Sequence, residues 1–294
     1  MSEDFKYTES GYIDITKNHS LRSWVKSILI LVLITFYVAI FWARLAKLLP
    51  EPYNYWTFIY EPIIGPWWVS NFFTDKPEWV RLYILWYILC FISSMIVPII
   101  VLKTMGRKLT DFGLGMLNRL GLRLTGIAIL VSIPFGLWIQ LASPVPHRLS
   151  IMYILSLVNK IPEHFLILGI LVAMMLPHRR LPNPAYLAPI EGARGQKIFR
   201  WLGVSQPYTI DSDNRVLAWF GLNWTSLFAI TVSGLVFFMI HLGRDNPVEV
   251  GLSLPGGILV AYITFRTHSI WHAIPAHWTL NLVPMAIIHM FNLR

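Results

Sequence analysis

The stretch Tyr153–Leu176, YILSLVNKIPEHFLILGILVAMML, decides the fold. A helix of about 20 mostly apolar residues crosses the hydrocarbon core of a bilayer, and this one holds a single carboxylate, Glu163. Working outward, comparable runs recur at Trp24–Leu45, Val80–Leu102, Leu124–Ala142, Trp219–Leu242, Leu252–Phe265 and Ser269–Phe291. Together with Met152–Leu176 they make seven expected spans. Pro50–Phe73 is broken by prolines and rich in tryptophan, so it reads as interfacial or re-entrant; were it to cross, the count would be eight. Pro134 is expected to kink the third span. The expected fold is therefore an all-α polytopic transmembrane bundle, a single membrane domain over 1–294. Residues 1–23 form a polar tail, and 177–218 form a polar cytoplasmic loop or cap, too short for a core of its own.

Composition agrees. Of the 294 residues 55% are hydrophobic and 13% charged, the latter about half the share in soluble domains. Mean hydropathy is +0.57. The 13 Trp, 12 Tyr and 17 Phe suit aromatic belts at two interfaces. The net charge of +9 lies in short loops, so it argues topology, and no nucleic-acid-binding motif accompanies it. The lone Cys90 cannot form an intrachain disulfide or a cysteine-cluster metal site. The polar first 20 residues carry no pattern of a cleaved signal peptide.

Basic residues orient the chain. Lys103–Arg123 has five bases against Asp111 alone, and 177–218 has six against three acids. Ser143–Ser150 has only Arg148, and Gly243–Val250 has Arg244 against Asp245 and Glu249. The excess of bases on cytoplasmic loops puts the N-terminus and both basic loops inside.

Of the fifteen acids, fourteen fall by this segmentation in loops, tails or interfacial segments. Glu163 is the exception, and an ionisable group at that depth is costly and usually functional. The bland alternative is an intrahelical pair with Lys160 at i,i+3. His164 adjoins Glu163, His241 ends the fifth span, and His268, His272 and His277 fall at the start and middle of the seventh. His268 and His272, beside Trp271, read as packing residues at a polar boundary. Phe237 and His241, and His277 and Asn281, are each four apart and share a helix face. If three spans converge, Glu163 can take a proton from water and His241 can hold or protonate that water. His277 and Asn281 can then donate to a developing oxyanion.

In that order these residues resemble the CAAX prenyl endopeptidases and their bacterial relatives, the CPBP glutamic intramembrane proteases. That family carries EExxxR, FxxxH and HxxxN or HxxxD on successive membrane helices. The last two are matched by Phe237 through His241 and by His277 through Asn281, after the run GGILVAYITFRTHSIWHAIPAHWTLN. DFGLG at Asp111–Gly115 is similar to the family's segment before a span, so the resemblance runs from about Leu109 to Asn281. The first motif departs: His164 stands at the second glutamate and Leu168 at the arginine, while Glu163 and Gly169 are kept. Losing both partners of an i,i+4 pair leaves no orphan buried charge, and His164 can replace part of the role as a hydrogen-bond partner.

The resemblance implies an endopeptidase of the bacterial cell membrane that needs no cofactor and no metal. It would act on a membrane-associated peptide or protein tail: prenylated tails, bacteriocin-type precursors or C-terminal sorting tails. Its catalytic residues would be Glu163, His241, His277 and Asn281, with His164, Lys160 and Phe237 in support. Three other readings stay open. One is a catalytically silent relative serving as membrane scaffold or immunity factor. Another is a proton-coupled carrier, against which the lack of internal repeats counts. The last is a zinc metalloprotease, for which HExxH is missing.

Overall fold

A computed structural model of the protein describes residues 25, 65–142, 158, 160–176, 179–181, 216–217, 220–242 and 247–291. The first expected span, the N-terminal tail and nearly all of 177–218 lie outside these residues. The described residues are helical, without strands. In chain order they give α1 (Gly65–Asn71) and α2 (Glu78–Phe91), a π-helical turn (Ile92–Ile96), α3 (Val97–Thr104) and a 3-10 turn (Leu109–Phe112). After α4 (Arg119–Leu141) come α5 (Lys160–Glu163), a π-helical segment (His164–Leu171) and α6 (Val172–Met175). The last elements are α7 (Trp224–Met239), α8 (Pro247–Thr267), a 3-10 turn (Ile270–His272) and α9 (Ala273–Phe291).

Among the described residues three helices are long and apolar enough to cross a membrane: Tyr87–Thr104, Arg119–Leu141 and Pro247–Thr267. Trp224–Met239 is apolar but shorter than the expected fifth span. Its limits are chemical. Gly221 turns the chain at φ +65°, and Asn223 caps the helix reciprocally with Ser226. The sixth span begins five residues earlier than expected, at Pro247, a residue suited to the first helical position. Glu249 consequently belongs to a helix and not to a loop. The third span also starts earlier, where the Asn118 side chain accepts from the Gly121 N–H at 2.8 Å. That helix continues through Pro134 to Leu141. Of Pro50–Phe73 only residues 65–73 are described; Trp68 stacks on Phe72 and donates from its indole to the Arg81 carbonyl at 2.9 Å, folding α1 back on α2.

The central strut is His164–Leu171, buried along its whole length. A helix apolar all round belongs in an interior, which accounts for the unbroken run FLILGIL. Ser233 of α7 donates to the Ile167 carbonyl at 2.8 Å and ties α7 to the strut. Around it α4 packs on α9 and α7 on α8. Ile100, Leu130 and Trp138 are exposed on outer faces, as residues facing lipid would be. Cys90 is buried.

DFGLG has a mechanical role. Gly113 turns the chain at φ +92°, a conformation that favours glycine. Its carbonyl accepts from Ile270 N–H at 2.7 Å, and Gly115 N–H donates to the His268 carbonyl at 3.1 Å. The Asp111 backbone carbonyl accepts from Leu181 N–H at 2.8 Å. The segment thereby clasps the turn between α8 and α9. Gly169 sits against it: a Cβ there would lie 2.2 Å from the Phe112 carbonyl oxygen. Gly169→Ala should therefore cost about 1–3 kcal/mol through forced displacement of the strut, read as a lower thermal midpoint in detergent. Gly126→Ala, with open space at its Cβ, is the control and should hold or raise the midpoint, because alanine suits a helix interior better than glycine. An equal midpoint for Gly169→Ala would show that strut and clasp are not in tight register.

Candidate active site

The FxxxH spacing has a local cause. As α7 ends, the His241 N–H donates to the Phe238 carbonyl at 2.9 Å, tightening the turn and leaving the Phe237 carbonyl to the His241 ring. Nδ1 of that ring lies 2.7 Å from it. A carbonyl oxygen only accepts, so Nδ1 carries the proton and Nε2 of the neutral ring is an acceptor. Phe237 stacks on His241 with ring centroids 4.6 Å apart.

Phe237 also contacts two further imidazoles, His277 at 5.5 Å and His164 at 6.4 Å between centroids. The latter two rings stack 5.0 Å apart, with His164 Nε2 2.7 Å from His277 Nδ1. Three histidines from the strut, the end of α7 and α9 thus gather around one phenylalanine. All three are buried. One turn beyond His277, the Asn281 amide donates to the His277 carbonyl at 3.1 Å, which holds its side chain along the α9 wall.

A cavity of about 260 Å³ opens between α4, α7, α8 and α9. His241, His277 and Asn281 line it, with Ser132, Ser253 and Glu249 as further polar groups on an otherwise apolar wall. A mostly apolar pocket with a few convergent polar groups is the usual form of a small binding or catalytic site.

Glu163 is fully buried, but it is not among the residues that line this cavity. Its Oε2 pairs with Lys160 Nζ at 2.8 Å, the i,i+3 pair read from the sequence. Its Oε1 has no hydrogen-bond partner among the described residues. Glu163 ends α5 at the point where the π-helical segment begins. Such segments recur at functional sites, where the extra residue re-aims side chains. The next residue, His164, makes the contact with His277.

His272 is more deeply embedded than a boundary residue. It is 1% exposed, and its Nε2 accepts from the Asn118 N–H at 3.1 Å while its carbonyl accepts from Thr125 at 2.7 Å. His268 adopts φ +61° within the clasp, and burial lowers its imidazole pKa below the ordinary range. Neither lines the cavity. Two charged residues were missed by the sequence reading. Glu249 lines the cavity, and Arg266 is fully buried in the last turn of α8, where a cation suits the helix dipole. The signal for Arg266 was its place inside an apolar run. Among the described residues no group of three His, Cys, Asp or Glu is placed to hold a metal ion.

Fold and site together define a helical membrane protein with a histidine-walled cavity between its helices. Residues 145–283 match the family model described as type II CAAX prenyl endopeptidase Rce1-like, so over this stretch the chain is similar to a family of membrane-embedded proteases. The match contains Glu163, His241, His277 and Asn281; it begins after DFGLG, later than the expected resemblance. No curated protein and no solved structure matches the chain.

Proposed function

We propose that the protein is a glutamate-dependent intramembrane endopeptidase that hydrolyses a peptide bond in a membrane-associated peptide or protein tail, lipidated tails among them. The observation that carries this reading is the convergence of His241, His277 and Asn281 on one cavity, with Glu163 adjoining the histidine that contacts His277. In the reaction Glu163 takes a proton from water held by His241 Nε2. The water oxygen bonds the scissile carbonyl carbon, and the resulting oxyanion accepts from the His277 imidazole N–H and the Asn281 amide. Collapse breaks the C–N bond, and the proton passes to the leaving amine. Seven spans, or eight if Pro50–Phe73 crosses, with the N-terminus in the cytoplasm of a bacterial cell, fit the charge distribution of the loops.

One observation favours a second assignment of the base. Glu249, and not Glu163, is the carboxylate on the cavity wall. In that arrangement Glu249 takes the proton and Glu163 stays a structural partner of Lys160.

The test is hydrolysis by purified protein in liposomes of prenylated and unmodified C-terminal peptides, with products read by mass spectrometry. Turnover should persist through extended chelation, since the base is a carboxylate and the oxyanion donors are side chains. Activity lost with a stoichiometric metal and restored by zinc would replace this reading with a metalloprotease. No hydrolysis of any membrane peptide would favour the silent scaffold, and substrate uptake without cleavage the carrier.

A further inference from the structure

His277 can serve an oxyanion only if it presents an N–H to the cavity, and an imidazole alone does not fix which nitrogen is protonated. The structure supplies a partner that fixes it. His164 Nε2 lies 2.7 Å from His277 Nδ1, both rings are buried, and His164 Nδ1 has no hydrogen-bond partner among the described residues.

Two neutral arrangements satisfy the contact. If His277 Nδ1–H donates, His164 must accept on Nε2 and carry its own proton on Nδ1, a buried N–H with nothing to receive it. If His164 Nε2–H donates, its Nδ1 is a bare lone pair. Orphaned buried N–H groups are rarer in proteins than under-used acceptors, so the second arrangement is favoured. A doubly protonated His164 would put a buried cation one turn from Lys160 and still leave an orphan N–H, which burial disfavours.

We infer that His164 is a positioning residue: it donates to His277 Nδ1 and so holds His277 in the tautomer that carries its proton on Nε2. This rests on the oxyanion-donor role proposed above for His277. It also gives the departure from EExxxR a physical content. A carboxylate at position 164 could only accept from His277 Nδ1–H, setting the opposite tautomer in the neutral ring; the histidine found there donates instead. The cavity then has complementary walls, an acceptor on His241 and a donor on His277.

The test is nitrogen-15 solid-state NMR of full-length protein in nanodiscs, with histidine rings labelled and the His277 signals assigned by their loss in His277→Asn. His277 should show protonated Nε2 and bare Nδ1. His164→Gln, whose amide can donate from a similar place, should keep that state. His164→Leu should release it to a mixture and lower kcat about 10–100-fold with little change in KM, in the range found when partners that orient histidine ligands are removed. Protonated Nδ1 on His277 in the wild type, or an unchanged tautomer in His164→Leu, would overturn the inference. Should His164→Leu fail to fold, the wild-type and His164→Gln spectra decide. The spectrum needs no substrate, so a protein that shows the tautomer but hydrolyses nothing counts against the peptidase and for the histidine pair.

Discussion

Glu163→Gln should reach the membrane, purify as a single species and hydrolyse no substrate. Glutamine keeps the side-chain shape and can still accept from Lys160, whose side chain is 12% exposed and able to hydrate. The penalty for breaking a buried pair, severe when one charge is stranded in the interior, is therefore small here. What glutamine cannot do is take a proton from water. Loss of a general base costs about 10²–10⁴ in rate, enough to push turnover below detection. Glu249→Gln is the companion measurement. If Glu163 is the base, Glu249→Gln changes turnover only modestly, through the polarity of the cavity wall it lines. If instead Glu249→Gln is silent and Glu163→Gln cleaves normally, the base belongs to α8. Failure of Glu163→Gln to insert at all would identify the Lys160 pair as structural.

The parts of this site that could be read in the sequence are those whose geometry is local. Phe237 with His241, and His277 with Asn281, are four apart, and the α-helix alone brings each pair together. Glu163 stood out because a lone carboxylate in an apolar run is rare, whatever surrounds it. Long-range pairing was not legible. Nothing in HFLILGIL announces a π-helical segment, and nothing in DFGLG announces that its backbone clasps the turn at His268–Ile270. Glu249 reads as a loop residue because it closes the polar run Gly243–Val250, so the apolar pattern starts the sixth span at Leu252, five residues into the helix. His272 read as a boundary residue because Trp271 and His268 flank it; its burial depends on the Asn118 and Thr125 contacts from α4, which lie about 150 positions away in sequence. The match of residues 145–283 to a protease family spans the strut, α7, α8 and nearly all the residues of α9 up to the cavity. The likeness to that family therefore covers every proposed site residue but not α4, which supplies the remaining wall of the cavity.

His277→Ala and Asn281→Ala should each lower kcat by about 10²–10³ while KM changes little, because an oxyanion donor acts on charge that appears only in the transition state. The double variant should lose less than the product of the two, since both donors serve one oxygen and removal of either lets the other relax. The structure adds an asymmetry. His277 is held by His164 at 2.7 Å and packed against Phe237, whereas Asn281 is held by one 3.1 Å bond to the helix backbone. His277→Ala therefore also strands His164 and should lower the thermal midpoint, and Asn281→Ala should leave it nearly unchanged. His272→Ala makes the opposite contrast. It leaves the Asn118 N–H unsatisfied, at a cost of about 1–3 kcal/mol, and should weaken the fold while sparing kcat of the molecules that remain folded. His268→Ala, outside the cavity, should behave likewise. If His272→Ala removes turnover at an unchanged midpoint while His277→Ala is active, the oxyanion site lies at the start of α9 and the HxxxN correspondence does not mark it.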